Sequence, residues 1–245
     1  MKKILACIII FFLAVFPVFS EKIIWERVFF DNFLMAGSAA ADNPLQTALT
    51  CAGLAAAGIM LANNDLNLKK EFQKQDSAVM HEIFETANYF GDGIYVLAAN
   101  SLFFLGGEKE RKTAEKVIEA LVLSNAFSYS LKWAAGRKRP SSTDDPGSFS
   151  PFSGNMSMPS GHATVAFSWA VIIGDRYDLG WLTYPLAALT ALARVYKNAH
   201  WPSDVFAGAA IGTIGAKIIN TETGDADISA GMDYNNNAFV LRYRF

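Results

Sequence analysis

Cysteine is nearly missing from this chain, with Cys7 and Cys51 the two in 245 residues. Cys7 lies in a stretch that reads as an export signal, so processing would leave Cys51 alone and rules out an intramolecular disulfide framework. In its Ala/Gly-rich run Cys51 is expected as a small core residue. Charge of one sign is also missing. The net charge is -2, so no global basic field points to nucleic acid as a partner. Internal repeats and low-complexity tracts are absent too, which excludes solenoids and disordered linkers. Histidine is confined to His81, His162 and His200, so any imidazole chemistry has few places to occur. What is abundant is apolar: 52% hydrophobic residues and a mean hydropathy of +0.21. That is high for a soluble protein and modest for a chain buried throughout in lipid.

Met1-Lys2-Lys3 followed by the apolar run Ile4 to Val18 has the layout of a signal peptide, with cleavage expected after Ser20; an uncleaved anchor helix is the alternative. Residues 21–44 form an amphipathic lead-in, with Trp25, Phe29, Phe30 and Phe33 at helical spacing. Six apolar stretches of helical character follow, at 45–63, 93–106, 114–138, 161–175, 181–196 and 204–219. An extra amphipathic helix is expected over 69–90, with His81 on its surface. The breaks carry Gly, Pro or Asn/Asp, as at Gly91-Asp92-Gly93 and in the long loop 140–159. The fold class expected is therefore all-α: a six-helix core bundle occupying 45–222, with extra amphipathic helices. At the end, 223–245 alternates like a β-hairpin, with strands 228–234 and 238–245 around Asn235-Asn236-Asn237. Its aromatic last residue resembles the end of an outer-membrane barrel strand, but one hairpin cannot close a barrel.

Three clusters carry chemistry. The first, Lys132 to Pro140, holds Lys132 and Arg139 two helical turns apart, a point charge and a planar fork suited to an oxyanion. Arg137 and Lys138 read as no more than a solvated basic helix end. The second is Pro159-Ser160-Gly161-His162. Here Ser160 is placed to cap the fourth stretch, Gly161 lets backbone approach a ligand, and the free amides form an anion site. The third runs from Arg194 to Asp204. His200 precedes Asp204 by four residues, so the carboxylate can accept from Nδ1 and leave Nε2 with its lone pair, as a nucleophilic imidazole requires. If the six stretches alternate in direction, all three clusters and Gly91-Asp92-Gly93 lie at one end of the bundle. The loop 140–159 would then cover that end, a length more often functional than idle.

In order and spacing the three clusters resemble the signature motifs of the type 2 phosphatidic acid phosphatase and vanadium haloperoxidase superfamily, over roughly residues 80 to 220. The resemblance implies a phosphatase in which His200 attacks phosphorus to form a phosphohistidine and Asp204 orients it. It makes His162 the proton donor to the leaving group. Lys132, Arg139, Ser160, Gly161 and Arg194 would hold the phosphate, without a metal or other cofactor. Ala193 stands where the family usually has Ser. The substrate implied is a lipid phosphate, or otherwise a small phosphorylated compound, handled by an exported, membrane-associated protein of the cell envelope. A soluble phosphomonoester phosphatase, a vanadium-dependent haloperoxidase and a non-enzymatic envelope protein docking through its hairpin are the competing classes. The sequence carries no signal of oligomeric state.

Overall fold

The computed structural model describes residues 43–74 and 77–221, together with the backbone of 228–233 and 238–243. The expected signal peptide (1–20) and nearly all of the lead-in lie outside the described residues. Eight α-helices occur among those described: α1 Pro44–Ala62, α2 Asp65–Gln73, α3 Ala78–Asn88, α4 Gly93–Ser101, α5 Glu108–Ala135, α6 Gly161–Tyr177, α7 Gly180–Tyr196 and α8 Pro202–Thr221. Near the end of the chain, β1 Ile228–Asp233 pairs antiparallel with β2 Ala238–Tyr243, Ile228 opposite Tyr243.

Local chemistry sets most boundaries. Pro44 and Pro202 occupy first helical turns, where no amide hydrogen is needed. Ser77 caps α3 by accepting from the Met80 amide at 3.2 Å, and Asp92 caps α4 by accepting from Ile94 at 2.9 Å. The single amphipathic helix expected over 69–90 is two helices, α2 and α3, because Ser77 starts a new one. The expected helix 114–138 begins earlier and stops at Ala135. Gly136 adopts φ 57°, its amide closes on the Lys132 carbonyl at 2.9 Å, and a Cβ there would collide with the Ser150 carbonyl. Arg137, Lys138 and Arg139 are therefore outside the helix.

The core sits around α6, which packs on α5, α7 and α8. Val165, Val171, Ile172 and Ile173 of α6 meet Val117, Ala120 and Leu121 of α5 and Ala216 and Ile219 of α8, all buried. Each large aliphatic side chain so buried contributes about 1.5–3 kcal/mol. The approach of α8 is close: a Cβ on Gly208 would strike the Ser160 carbonyl at the start of α6. By contrast α1 buries none of its residues, and Cys51 is exposed on it, not in the core as its apolar setting suggested. Among the described residues α1 is the one helix long and apolar enough to cross a membrane.

Candidate active site

Four helix ends meet at one end of the bundle, as alternation of the stretches requires: the end of α5, the start of α6, the end of α7 and the start of α8. Backbone bonds join the second cluster to the third and fold the third on itself. The Ser160 amide donates to the Asp204 carbonyl at 2.8 Å, joining the second cluster to the third. The Ala199 and His200 amides both donate to the Arg194 carbonyl, at 3.1 and 3.2 Å, so the chain turns tightly from α7 toward α8.

His200 is buried in that turn. Its Nδ1 lies 2.8 Å from the Ser157 carbonyl oxygen, which can only accept, so Nδ1 carries the hydrogen and Nε2 the lone pair. The tautomer is the one expected, but the acceptor is not: the Asp204 carboxylate stands 3.8 Å from Nδ1, too far for a hydrogen bond. Ser157 mediates between them, since its hydroxyl donates to Asp204 Oδ2 at 2.5 Å while its carbonyl holds the imidazole. Ser157 is a site residue that sequence reasoning missed, although it sits three residues before Ser160.

Asp204 is fully buried and its oxygens are fully engaged. Oδ2 also accepts from the Trp201 amide at 2.9 Å, the reciprocal half of a capping box at the start of α8. Oδ1 accepts from Arg137 Nη1 at 2.5 Å. Arg137 is the largest correction to the sequence reading. It is 2% exposed, not solvated, and it bridges Asp204 to Asp65 at the start of α2. All five of its N–H groups find acceptors: Asp204, Ser203 Oγ, Asp65 at 2.7 Å, and the Pro146 carbonyl twice. Asp65 accepts in addition from the Ser203 amide at 2.8 Å and from its hydroxyl. Removing one member of such a buried set leaves an uncompensated charge, a loss of about 3–5 kcal/mol. Phe149 stacks over the guanidinium, and Trp201, fully buried, donates its indole hydrogen to the Lys138 carbonyl at 3.0 Å. The loop 140–159 is stitched to 136–138 by the Lys138–Ser148, Ser150–Gly136 and Ser157–Arg137 backbone bonds. It is part of the floor of the site instead of a free cover.

Lys132 is buried in the last turn of α5 and donates to the carbonyls of Met156, at 3.1 Å, and Pro159. Arg194 is half-buried and donates to Asn88 Oδ1 at 2.5 Å. Arg139 is exposed at the rim, beyond the helix that was expected to carry it; its charge nevertheless acts on both Lys132 and Arg194. Ser160 occupies the N-cap position of α6, yet its hydroxyl makes no capping bond. That buried hydroxyl and Arg194 Nε have no protein partner. Gly161 opens α6, whose first amides have no intrahelical acceptor.

The electrostatics of the site run against its cations. Burial pushes Lys132 down to about 8, with Asp204 pulling the other way and Arg139 and Arg194 adding to the depression. Burial, then Arg194, push His162 down to about 4, with Asp92 opposing and His200 and Lys132 adding. Burial pushes His200 to about 4 as well, against the pull of Asp204. Burial resists the Asp204 charge, but His200, Arg137 and Ser157 hold its carboxyl below the usual range. A cluster of mutually repelling cations with two unpartnered polar atoms is suited to an anion. His81, by contrast, lies exposed near the start of α3, beside Glu85.

A family model described as the PAP2 superfamily matches residues 114–224. Lipid A 1-phosphatase of Rhizobium etli is 34% identical over 159 residues, covering 55% of this chain and 68% of that protein. Two solved structures share the fold. LpxE of Aquifex aeolicus superposes with a TM-score of 0.54 at 23% identity, covering 64% of this chain and 94% of that one. A transmembrane PAP2-type phosphatidylglycerolphosphate phosphatase from Bacillus subtilis gives 0.55 at 17% identity, covering 69% and 94%. These two likenesses reach back beyond the matched segment and concern the fold.

Proposed function

The chain belongs to the PAP2 superfamily, and from that membership we propose that it hydrolyses the phosphate of a membrane lipid through a phosphohistidine on His200. The observation that carries the reading is the imidazole itself. With Nδ1–H given to the Ser157 carbonyl, the Nε2 lone pair is available within a cluster of Lys132, Arg139, Arg194 and His162. In the first step Nε2 forms a bond to phosphorus while the bond to the leaving oxygen breaks, and His162 gives that oxygen its proton. In the second, neutral His162 takes a proton from water, the oxygen attacks phosphorus, and the P–N bond breaks. Lys132, Arg139, Arg194, the Ser160 hydroxyl and the amides from Gly161 onward bear the equatorial oxygens. Fixed charges of this kind are commonly the largest catalytic contribution.

The substrate class follows from two considerations. The apolar α1, with no buried residue, suits a protein held at a lipid bilayer, where the phosphate on offer is a headgroup. The Rhizobium relative is named for lipid A 1-phosphate, which makes that headgroup the first to try. The helical unit 45–222 is the proposed phosphatase domain, and the cell envelope its proposed place. Purified full-length protein in detergent micelles should release inorganic phosphate from lipid A. His200→Ala should abolish release, and Arg194→Ala should reduce it at least a hundredfold with the helical signal retained. Vanadate should inhibit, because its five-coordinate adduct with an imidazole mimics the transition state. Full turnover by His200→Ala would refute the nucleophile assignment.

A further inference from the structure

We propose that Asp65 and Arg137 are positioning residues for His200, forming with Asp204 and Ser157 a buried chain that runs from α2 to the reacting imidazole. The proposal deepens the reading of His200 as nucleophile and rests on it. Asp65 lies well before the family-matched segment and outside all three sequence clusters, so neither comparison nor motif assigns it a part.

The geometry is one of successive constraint. Asp204 cannot turn toward His200, because Oδ1 is held by Arg137 and Oδ2 by both the Ser157 hydroxyl and the Trp201 amide. The plane of the carboxylate thus fixes the Ser157 hydroxyl, and Ser157 in turn presents the carbonyl that orients the ring. Arg137 is itself held from the opposite side by Asp65, which also secures the first turn of α8 through the Ser203 amide and hydroxyl. Two carboxylates and one guanidinium leave a net single negative charge in this chain. When Nε2 bonds to phosphorus its lone pair is consumed and the ring becomes cationic. The net negative charge behind it stabilises that cation without touching substrate. Asp65→Asn keeps the shape of the side chain and sets the net charge to zero. It also leaves one oxygen where two accept, so Arg137 Nη2 and the Ser203 amide can no longer both be served.

A residue that only stabilised the fold would weaken every ligand alike; one that positions the imidazole would not. The test compares two anions on purified full-length protein in micelles. Vanadate binds through the cations and through a bond from His200 Nε2, whereas inorganic phosphate uses the cations alone. Asp65→Asn is expected to weaken vanadate binding at least tenfold and to leave phosphate affinity within twofold. In turnover the same variant should lose at least tenfold in kcat with KM within twofold. Ser203→Ala, a smaller perturbation that removes a single hydroxyl link between Arg137 and Asp65, should move vanadate in the same direction by two- to fivefold. It serves should Asp65→Asn fail to fold. Equal losses for both anions, or no loss for either, in a folded variant would overturn the proposal. This split in Asp65→Asn, alongside wild-type protein that releases no phosphate from any lipid, would refute the proposed function and leave the positioning chain supported. Wild-type protein without a vanadate preference over phosphate would refute both.

Discussion

Anion binding should load a proton onto His162. Without an anion its imidazole is depressed to about 4, first by burial and then by Arg194. At pH 6 only about 1% of it would be protonated, and an unprotonated imidazole cannot give a hydrogen to a leaving group. The proton must therefore arrive with the substrate. A unit charge about 4 Å away at an effective dielectric near 20 is worth about 4 kcal/mol, or about 3 pKa units. An anion in the cluster thus lifts His162 to about 7 or above. Sulfate is the probe of choice, because it does not titrate in this range. At pH 6 its binding should load about 0.9 proton onto His162, beyond any that His200, also near 4, takes up, and the His162 proton should raise affinity up to tenfold per unit as pH falls from about 7 toward 4. Lys132, at about 8, is already charged at pH 6 and adds nothing. Isothermal titration in two non-phosphate buffers of different ionisation heat measures the uptake directly. His162→Gln should remove the His162 share, and His200→Gln should leave that share in place. Uptake below about 0.2 proton, or uptake lost in His200→Gln but retained in His162→Gln, would refute the reasoning and exchange the two roles.

Two further outcomes follow from the same contacts. Because His200 titrates near 4 when folded and near 6.5 when unfolded, the unfolded chain gains protons first as pH falls. Without anion, thermal melts should therefore show a loss of about 2 kcal/mol from His200 and a similar loss from His162, which also titrates near 4, between pH 7 and pH 5, and an unchanged midpoint would count against neutral buried imidazoles. Gly136→Ala places a side chain at positive φ against the Ser150 carbonyl. It should cost about 2 kcal/mol or more in stability and weaken phosphate binding through the displaced Lys132, readable by denaturant titration alongside calorimetry.

The bundle was legible in the sequence because its apolar runs end at residues with a single conformational meaning. The starts of α6, α7 and α8 fall within two residues of expectation, at Gly161, Gly180 and Pro202. The convergence of Lys132, His162, Arg194 and His200 followed from alternation of direction alone. What could not be read was polarity that depends on burial. Arg137 beside Lys138 and Arg139 has the pattern of a wet helix end, and only the partners brought by α2 and the loop distinguish it. Ser157 was hidden for a related reason, since its backbone carbonyl does as much as its side chain. The Asp204–His200 pair was correctly spaced at four residues, yet a spacing gives neighbourhood and not distance, and the third party between them has no sequence signature. Gly136 is readable as a stop, since a glycine after an apolar run is the usual mark of a helix end.

The five-fold satisfaction of Arg137 bears on where the protein can be cut. A recombinant fragment trimmed to begin at the matched segment would discard Asp65 while retaining the guanidinium it neutralises. Such a fragment would carry every signature motif intact and still leave an Arg137 N–H and the Ser203 amide without the carboxylate that accepts from them. For expression work the indispensable N-terminal limit is the short helix α2, well upstream of the first recognisable motif.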